Sequence, residues 1–358
     1  MLSSAIAIIL VLGGLIFFHE LGHFSVARAF GVGIRTFSLG FGPAIYKFKR
    51  GRTEYRLSAV PLGGYVSMVG ESPDDDINSP ENREFTEEDS FVKRKPWQRM
   101  CIVAAGPIAN LLLAFLLYWA IFATNGQFQL LPEIGDVRAD SPAAVAGIEK
   151  GDSVKSISGT TITYWEDIPA TIEKSGGKEL QIVVARDGKQ LTFDVTPSLL
   201  TRKNLFGEDE KTYLIGIQAA GKTEQIQLGF VNSASAALEM TWSNTVLTVQ
   251  GFVKLIERVI PADTVGGPIM IAQLVSQQAE EGLLAVLALA AIISINLGVL
   301  NLLPVPVLDG GHLVMLVYEM IVGKPVPGKV MDYSIRVGIF LLLTLMVWAT
   351  FNDVRRLY

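Results

Sequence analysis

The chain of 358 residues has one cysteine, three histidines and, from Leu283 through Leu308, no Lys, Arg, Asp or Glu. Each scarcity excludes something. A lone Cys101 leaves no intrachain disulfide framework and no cysteine-built zinc cluster. A formal net charge of −5 gives no basic footprint for nucleic acid. No Lys or Arg precedes Arg28, and no small-x-small cleavage site follows the first apolar run, so that run does not read as a secretory signal peptide. Charged residues make up only 18% of the chain and hydrophobic ones 50%, with a mean hydropathy of +0.39. That composition describes an integral membrane protein with a polar insertion.

Four apolar stretches stand out, roughly 2–30, 100–124, 283–308 and 334–351. Each approaches the ~20 residues needed to cross a bilayer. The loop between the first two carries Arg35, Lys47, Lys49, Arg50, Arg52 and Arg56, then Lys93, Arg94, Lys95 and Arg99. This density of cations places 31–99 in the cytoplasm and 125–282 outside. The tail "NDVRRLY" then ends outside with two arginines, a mild violation.

Within the loop, "YKFKRGRTEYRLS" alternates about Arg50-Gly51 as a hairpin does, with Tyr46 and Phe48 set against Tyr55 and Leu57. A glycine-rich extended strip, "PLGGYVSMVG", follows. The acidic run from Glu71 to Asp89 reads as a solvated linker. Farther on, 128–198 reads as a small α+β domain. It has a short helix and a Gly-Asp turn, then a strand to Gly159, a helix from Trp165 to Ser175 and a hairpin about Asp187-Gly188. Its stretch "AGIEKGDSVKSISG" resembles a PDZ domain, a fold that takes peptide tails as an added strand. From 246 to 260, Val249, Phe252, Val253, Ile256 and Ile260 repeat at helical spacing, which suits a helix lying on the outer membrane surface and, nearly as well, an ordinary amphipathic helix packed on protein.

"FFHELGHF" raises the sharpest question, because lipid penalises ionisable groups. His19 and His23 are four apart, so on a helix their rings share a face and can grip one ion. Glu20 stands where a carboxylate can take a proton from water activated at that ion. Catalytic zinc generally has three protein ligands, so one is missing. "NLLPVPVLDGGHLV" offers both Asp309 and His312, and composition does not choose between them. Pro304 and Pro306 interrupt the helix there, and irregular backbone at membrane depth lines protein or a cavity. The number of crossings brings His19, His23 and both candidates to the cytoplasmic side.

Together, "HELGH", "AAGPIAN", the PDZ-like domain, "VGGPIMIA" and "NLLPVPVLDGG" resemble, in order and over nearly the whole chain, the site-2 protease family of intramembrane zinc metalloproteases, closest to its bacterial RseP-like branch. The resemblance implies a polytopic α-helical membrane protein of about four transmembrane helices. It also implies a cytoplasmic-side reentrant β-hairpin or sheet around 35–70 and an inserted extracytoplasmic PDZ-like α+β domain. Expected divisions are 1–124, 125–200 (PDZ-like), 201–282 (linker and surface helix) and 283–358. It implies Zn2+ held by His19, His23 and Asp309, Glu20 as catalytic base, and Asn301 holding the substrate strand. His312 becomes a neighbour. Gly106, Pro107 and Asn110 read as packing and helix-start chemistry.

The implied activity is cleavage of transmembrane segments of single-span proteins in the bacterial inner membrane (regulated intramembrane proteolysis), with anti-sigma factors or remnant signal peptides as substrates. An edge along 53–60 would pair with the unwound substrate. One departure is that some RseP-type members carry two PDZ domains and a single one is found here. The rival readings are a PDZ membrane adaptor with a structural zinc site and a metal-transporting bundle. The adaptor gives Glu20 no task; the transporter explains neither the PDZ-like domain nor the paucity of other intramembrane ligands.

Overall fold

A computed structural model describes residues 2–71 and 83–357. Four of its helices are long and apolar enough to cross a membrane, and the chain divides into two units, one membrane-type and one β-rich.

The first unit opens with helix α1, Leu2–Ala29. Strands β1 (Ile34–Arg50) and β2 (Thr53–Met68) follow. They turn about Gly51 with Tyr46 opposite Leu57 and Phe48 opposite Tyr55, the pairing that the alternation predicts. Bulges fold each strand into two arms. Residues 36–39 lie opposite 64–67 on one side and 54–57 on the other, so the arms run in the order 44–50, 53–58, 34–39, 64–68. Gly40 and Gly42 allow the bend with φ of 88° and 84°, and a Cβ on Gly40 would meet the Val60 carbonyl oxygen at 2.8 Å. The expected substrate edge along 53–60 is therefore corrected: 54–57 are paired on both sides, and among the described residues the outer arms are 44–50 and 64–68, of which 64–68 lies against α1. The sheet's apolar face, with Ile34, Phe37, Val66 and Met68 buried, packs on Phe17, Phe24 and Ala27 of α1 and on Ile102.

The acidic run also departs from a plain solvated linker. Residues 72–82 lie outside the described ones, but Asp89 accepts two hydrogen bonds from Arg52, at 2.8 and 3.0 Å. Helix α2, Pro96–Asn125, is the second long apolar helix.

The second unit begins with β3 (Gln127–Leu130), β4 (Ile134–Val137), helix α3 (Pro142–Ala146), β5 (Ser153–Ile157) and β6 (Thr160–Thr161). Helix α4 (Asp167–Lys174) and strands β7 (Leu180–Arg186) and β8 (Lys189–Val195) complete a four-stranded sheet in the order β6-β5-β7-β8. The hairpin turns through Asp187 and Gly188, with φ of 50° and 77°, as an Asp-Gly pair favours. Ile134, Val154, Ile157, Ile168, Ile182 and Val184 form its core, each at most 1% exposed. Buried Asp152 accepts from Arg186 Nε at 2.6 Å and Nη2 at 2.8 Å, and from the Glu149 amide at 2.9 Å. Burial opposes that charge, but these bonds outweigh it and hold its carboxyl below the usual range. Strands β9 (Ser198–Lys203), β10 (Asp209–Leu214), β11 (Ile217–Ala219) and β12 (Thr223–Ile226) add three small antiparallel pairs, β9 with β10, β11 with β4 and β12 with β3.

The remaining helices are α5 (Phe230–Ile256), α6 (Pro268–Glu281), α7 (Leu283–Asn301), α8 (Asp309–Val322) and α9 (Gly328–Arg356). The amphipathic helix expected over 246–260 is the end of α5, which begins earlier and stops at Ile256. Its middle is hydrogen-bonded to the apolar helices: Asn244 Nδ2 donates to Tyr118 OH (3.1 Å) and Thr248 Oγ1 to Asn296 (2.8 Å). Sequence periodicity missed α6, whose first turn is capped from far away. Asp353 accepts from the amides of Gly267 (2.8 Å), Ile269 (3.0 Å) and Met270 (3.0 Å).

Candidate active site

Three elements supply the site. On α1, His19 and His23 stand one turn apart, their rings edge to face with centroids 4.8 Å apart. The third apolar stretch is interrupted, as its prolines require: α7 ends at Asn301 and α8 starts at Asp309. The intervening chain folds back on the first turn of α8. A Cβ on Gly310 would meet the Leu303 carbonyl oxygen at 2.2 Å, and one on Gly311 the Val305 oxygen at 2.3 Å. The glycine pair after Asp309 is thus what lets the break close and delivers the carboxylate.

The convergence is tight. His23 Nε2 lies 3.3 Å from His19 Nε2, and Asp309 reaches His19 Nε2 at 3.3 Å and His23 Nε2 at 3.5 Å. Asp309 makes these approaches through different oxygens, Oδ2 to His19 and Oδ1 to His23, and one donor atom from each of the three residues lies within 4.8 Å of the others. Four ligands about 2.0–2.1 Å from a tetrahedral zinc are separated by about 3.3–3.4 Å, so the His19–His23 edge already has that length. His23 Nδ1–H donates to the Ile102 carbonyl at 2.9 Å, which leaves its Nε2 lone pair facing the cluster. The donor set fits zinc in charge too: a dication with the Asp309 and Glu20 carboxylates sums to zero, the cheapest total at membrane depth.

His19, Glu20, His23 and Asp309 line one cavity of about 540 Å³. Gly64 of the outer arm 64–68 also lines it; a Cβ there would meet Glu20 Cγ at 2.9 Å. The other walls include Glu71, His312 and the part-buried Arg99–Glu319 ion pair, which ties the first turn of α2 to α8. His312 shares the cavity but not the ligand cluster of His19, His23 and Asp309. Asn301 holds its amide nitrogen 3.4 Å from His19 Nε2.

The sequence reading undervalued α2. Ile102, Gly106 and Asn110 recur every fourth residue and so share one helix face, and that face backs both histidines. Ile102 receives His23, and Asn110 lies 3.3 Å from His19 Nδ1. A Cβ on Gly106 would come within 2.2 Å of His23 Nε2. Gly106 and Asn110 therefore frame the site and are not mere helix packing. The i, i+4, i+8 spacing was visible, but nothing in the sequence showed which helix it faced.

Comparison with known proteins gives the family. "Peptidase family M50" matches residues 7–345. The Campylobacter jejuni protein Cj1068 is 37% identical over 352 residues, covering 98% of this chain and 93% of that one. Zinc metalloprotease RasP of Bacillus licheniformis is 31% identical over 428 residues, with both chains covered in full. Regulator of sigma-W protease RasP of Bacillus subtilis is 29% identical over 433 residues, covering 99% of each. Among solved structures, the PDZ domain of a Listeria monocytogenes SdrC-like protein covers 24% of this chain and 84% of its own at 22% identity, with a TM-score of 0.20. With its matched span, its clustered metal-binding side chains and its four apolar helices, the chain belongs to peptidase family M50, the site-2 family of zinc metalloproteases.

Proposed function

We propose that this chain hydrolyses peptide bonds within transmembrane segments of single-span proteins, with His19, His23 and Asp309 as its zinc ligands. The observation that carries the reading is the convergence of His19 Nε2, His23 Nε2 and the Asp309 carboxylate, with contacts of 3.3–3.5 Å, from two stretches nearly 290 residues apart. When bound, zinc polarises a water molecule and the scissile carbonyl, lowering the water's pKa to about 7. Glu20, lining the same cavity, takes that water's proton and returns it to the leaving amine. Asn301 donates its amide hydrogen to the carbonyl oxygen as charge develops there.

A transmembrane helix hides its own amides, so the substrate must unwind before attack. The arm 64–68 pairs on one side only among the described residues and lines the cavity. An extended substrate segment adds along it, replacing backbone bonds that cost several kcal/mol each when left open in lipid. The cations of 31–99 put this end of the membrane helices toward the cytoplasm and the PDZ-like unit outside. That unit screens or receives the peptide tails of substrates. A membrane-bound regulator such as an anti-sigma factor suits the name of the Bacillus subtilis relative.

The test is to purify the chain and its Glu20→Gln variant from membranes, then measure zinc content and cleavage of a single-span reporter. The variant keeps zinc and loses cleavage. Cleavage at the unaltered rate by Glu20→Gln, or a cleaving enzyme without zinc, would overturn the proposal.

A further inference from the structure

Asn110 takes no part in the proposed chemistry, yet it is 0% exposed and its side chain ends 3.3 Å from His19 Nδ1. Its place is held firmly: its main-chain oxygen accepts a 2.7 Å hydrogen bond from Ser294 of α7, also fully buried. On the far side of its amide, Oδ1 meets no donor among the described residues. A buried amide oxygen without a donor costs about 1–3 kcal/mol and calls for an explanation.

The chemistry of His19 supplies one. Its Nε2 faces His23 and Asp309 at 3.3 Å, so a cation at the cluster needs the lone pair on that atom. A neutral imidazole carries one hydrogen, which must then sit on Nδ1 and point at Asn110. With Nδ2 nearest, the amide would offer a donor to a donor. The two ends of a carboxamide fill the same space, so a half-turn presents Oδ1 to the ring instead. That half-turn gives the oxygen its donor and leaves the ring in its ligating form.

Building on the zinc site proposed above, we infer that Asn110 is a positioning residue. In the metal-loaded protein its side-chain oxygen accepts the His19 Nδ1–H bond, holding the ring in the tautomer and orientation that ligates zinc. His23 has the same arrangement with the Ile102 carbonyl, so α2 supplies the outer acceptor for both imidazoles. Outer acceptors of this kind typically account for 10–100-fold in metal affinity.

The experiment measures zinc affinity by chelator competition on the purified full chain, comparing wild type with Asn110→Leu and Asn110→Asp. Leucine keeps the volume without an acceptor; aspartate keeps an oxygen acceptor. Leucine should lower zinc affinity about 10–100-fold, and aspartate should hold it within a few-fold. In zinc-loaded protein labelled with 15N-histidine, the His19 Nδ1–H resonance should persist in wild type and Asn110→Asp. It should shift or exchange away in Asn110→Leu. A leucine variant that binds zinc like wild type, or an aspartate variant as weak as leucine, overturns the inference. If the leucine protein does not fold, affinity in Asn110→Asp decides alone: a tenfold loss refutes the acceptor role. Wild type that binds no zinc would instead refute the underlying zinc site.

Discussion

Replacing Gly106 with alanine puts a methyl group 2.2 Å from His23 Nε2 and 2.8 Å from His19 Cε1. Ordinary contact begins near 3.4 Å, so something must move by about 1.2 Å. The backbone has little room to yield, because a Cβ on Gly22 of α1 would already lie 2.2 Å from the Ala105 carbonyl oxygen. The histidine rings move instead, and zinc bonds tolerate only about ±0.2 Å. Overpacking of this kind costs about 1–3 kcal/mol, which at 1.4 kcal/mol per tenfold is about 5–150-fold in zinc affinity. Metal content and chelator competition on the purified protein read this directly, and cleavage should fall in parallel. Gly13→Ala on α1 is the control, since its methyl group meets nothing within 4 Å and should change neither quantity. Wild-type zinc affinity in Gly106→Ala would show that α2 does not press on the ligands, and the geometric account of the site would fail.

Other consequences can be measured on the same preparation. Prolines placed singly from 64 to 67 should lower reporter cleavage where the lost amide faces away from 36–39, with zinc retained; loss of zinc instead would deny this arm a substrate-pairing role. Asp353→Ala removes the acceptor for three amides at the start of α6 and should cost about 1–2 kcal/mol, seen as a lower melting temperature in detergent. Asp152→Asn should destabilise the strand Leu180–Arg186 by about 1.5–3 kcal/mol, read by amide hydrogen exchange on the full chain. Because the folded carboxyl titrates below its unfolded value of ~4, its contribution is complete above that pH and fades as pH falls through the folded value. The gap between wild type and variant should therefore close in acid. Deleting 128–198 should permit cleavage of reporters with long untrimmed outer domains; abolished cleavage of all reporters would instead favour a docking role for the PDZ-like unit.

The sequence alone determined what local rules control. Long apolar runs gave four helices, alternation about Gly51 paired Tyr46 with Leu57, and the His-Glu-x-x-His spacing put two imidazoles on one helix face. Hydrophobic period, turn chemistry and helix geometry act over a few residues, so they can be read along the chain. Only the tertiary structure decided which arms of the sheet lie outermost, because the bulge at Gly40 inserts 34–39 between 53–58 and 64–68. Composition left Asp309 and His312 open and the family resemblance implied Asp309; the physical reason lies in the tertiary structure, where Gly310 and Gly311 let residues 302–306 fold back and Asp309 joins the cluster. The tasks of Ile102, Gly106 and Asn110 were likewise hidden: a residue that acts by standing behind another helix leaves its spacing in the sequence, but its partner is set only when the helices pack.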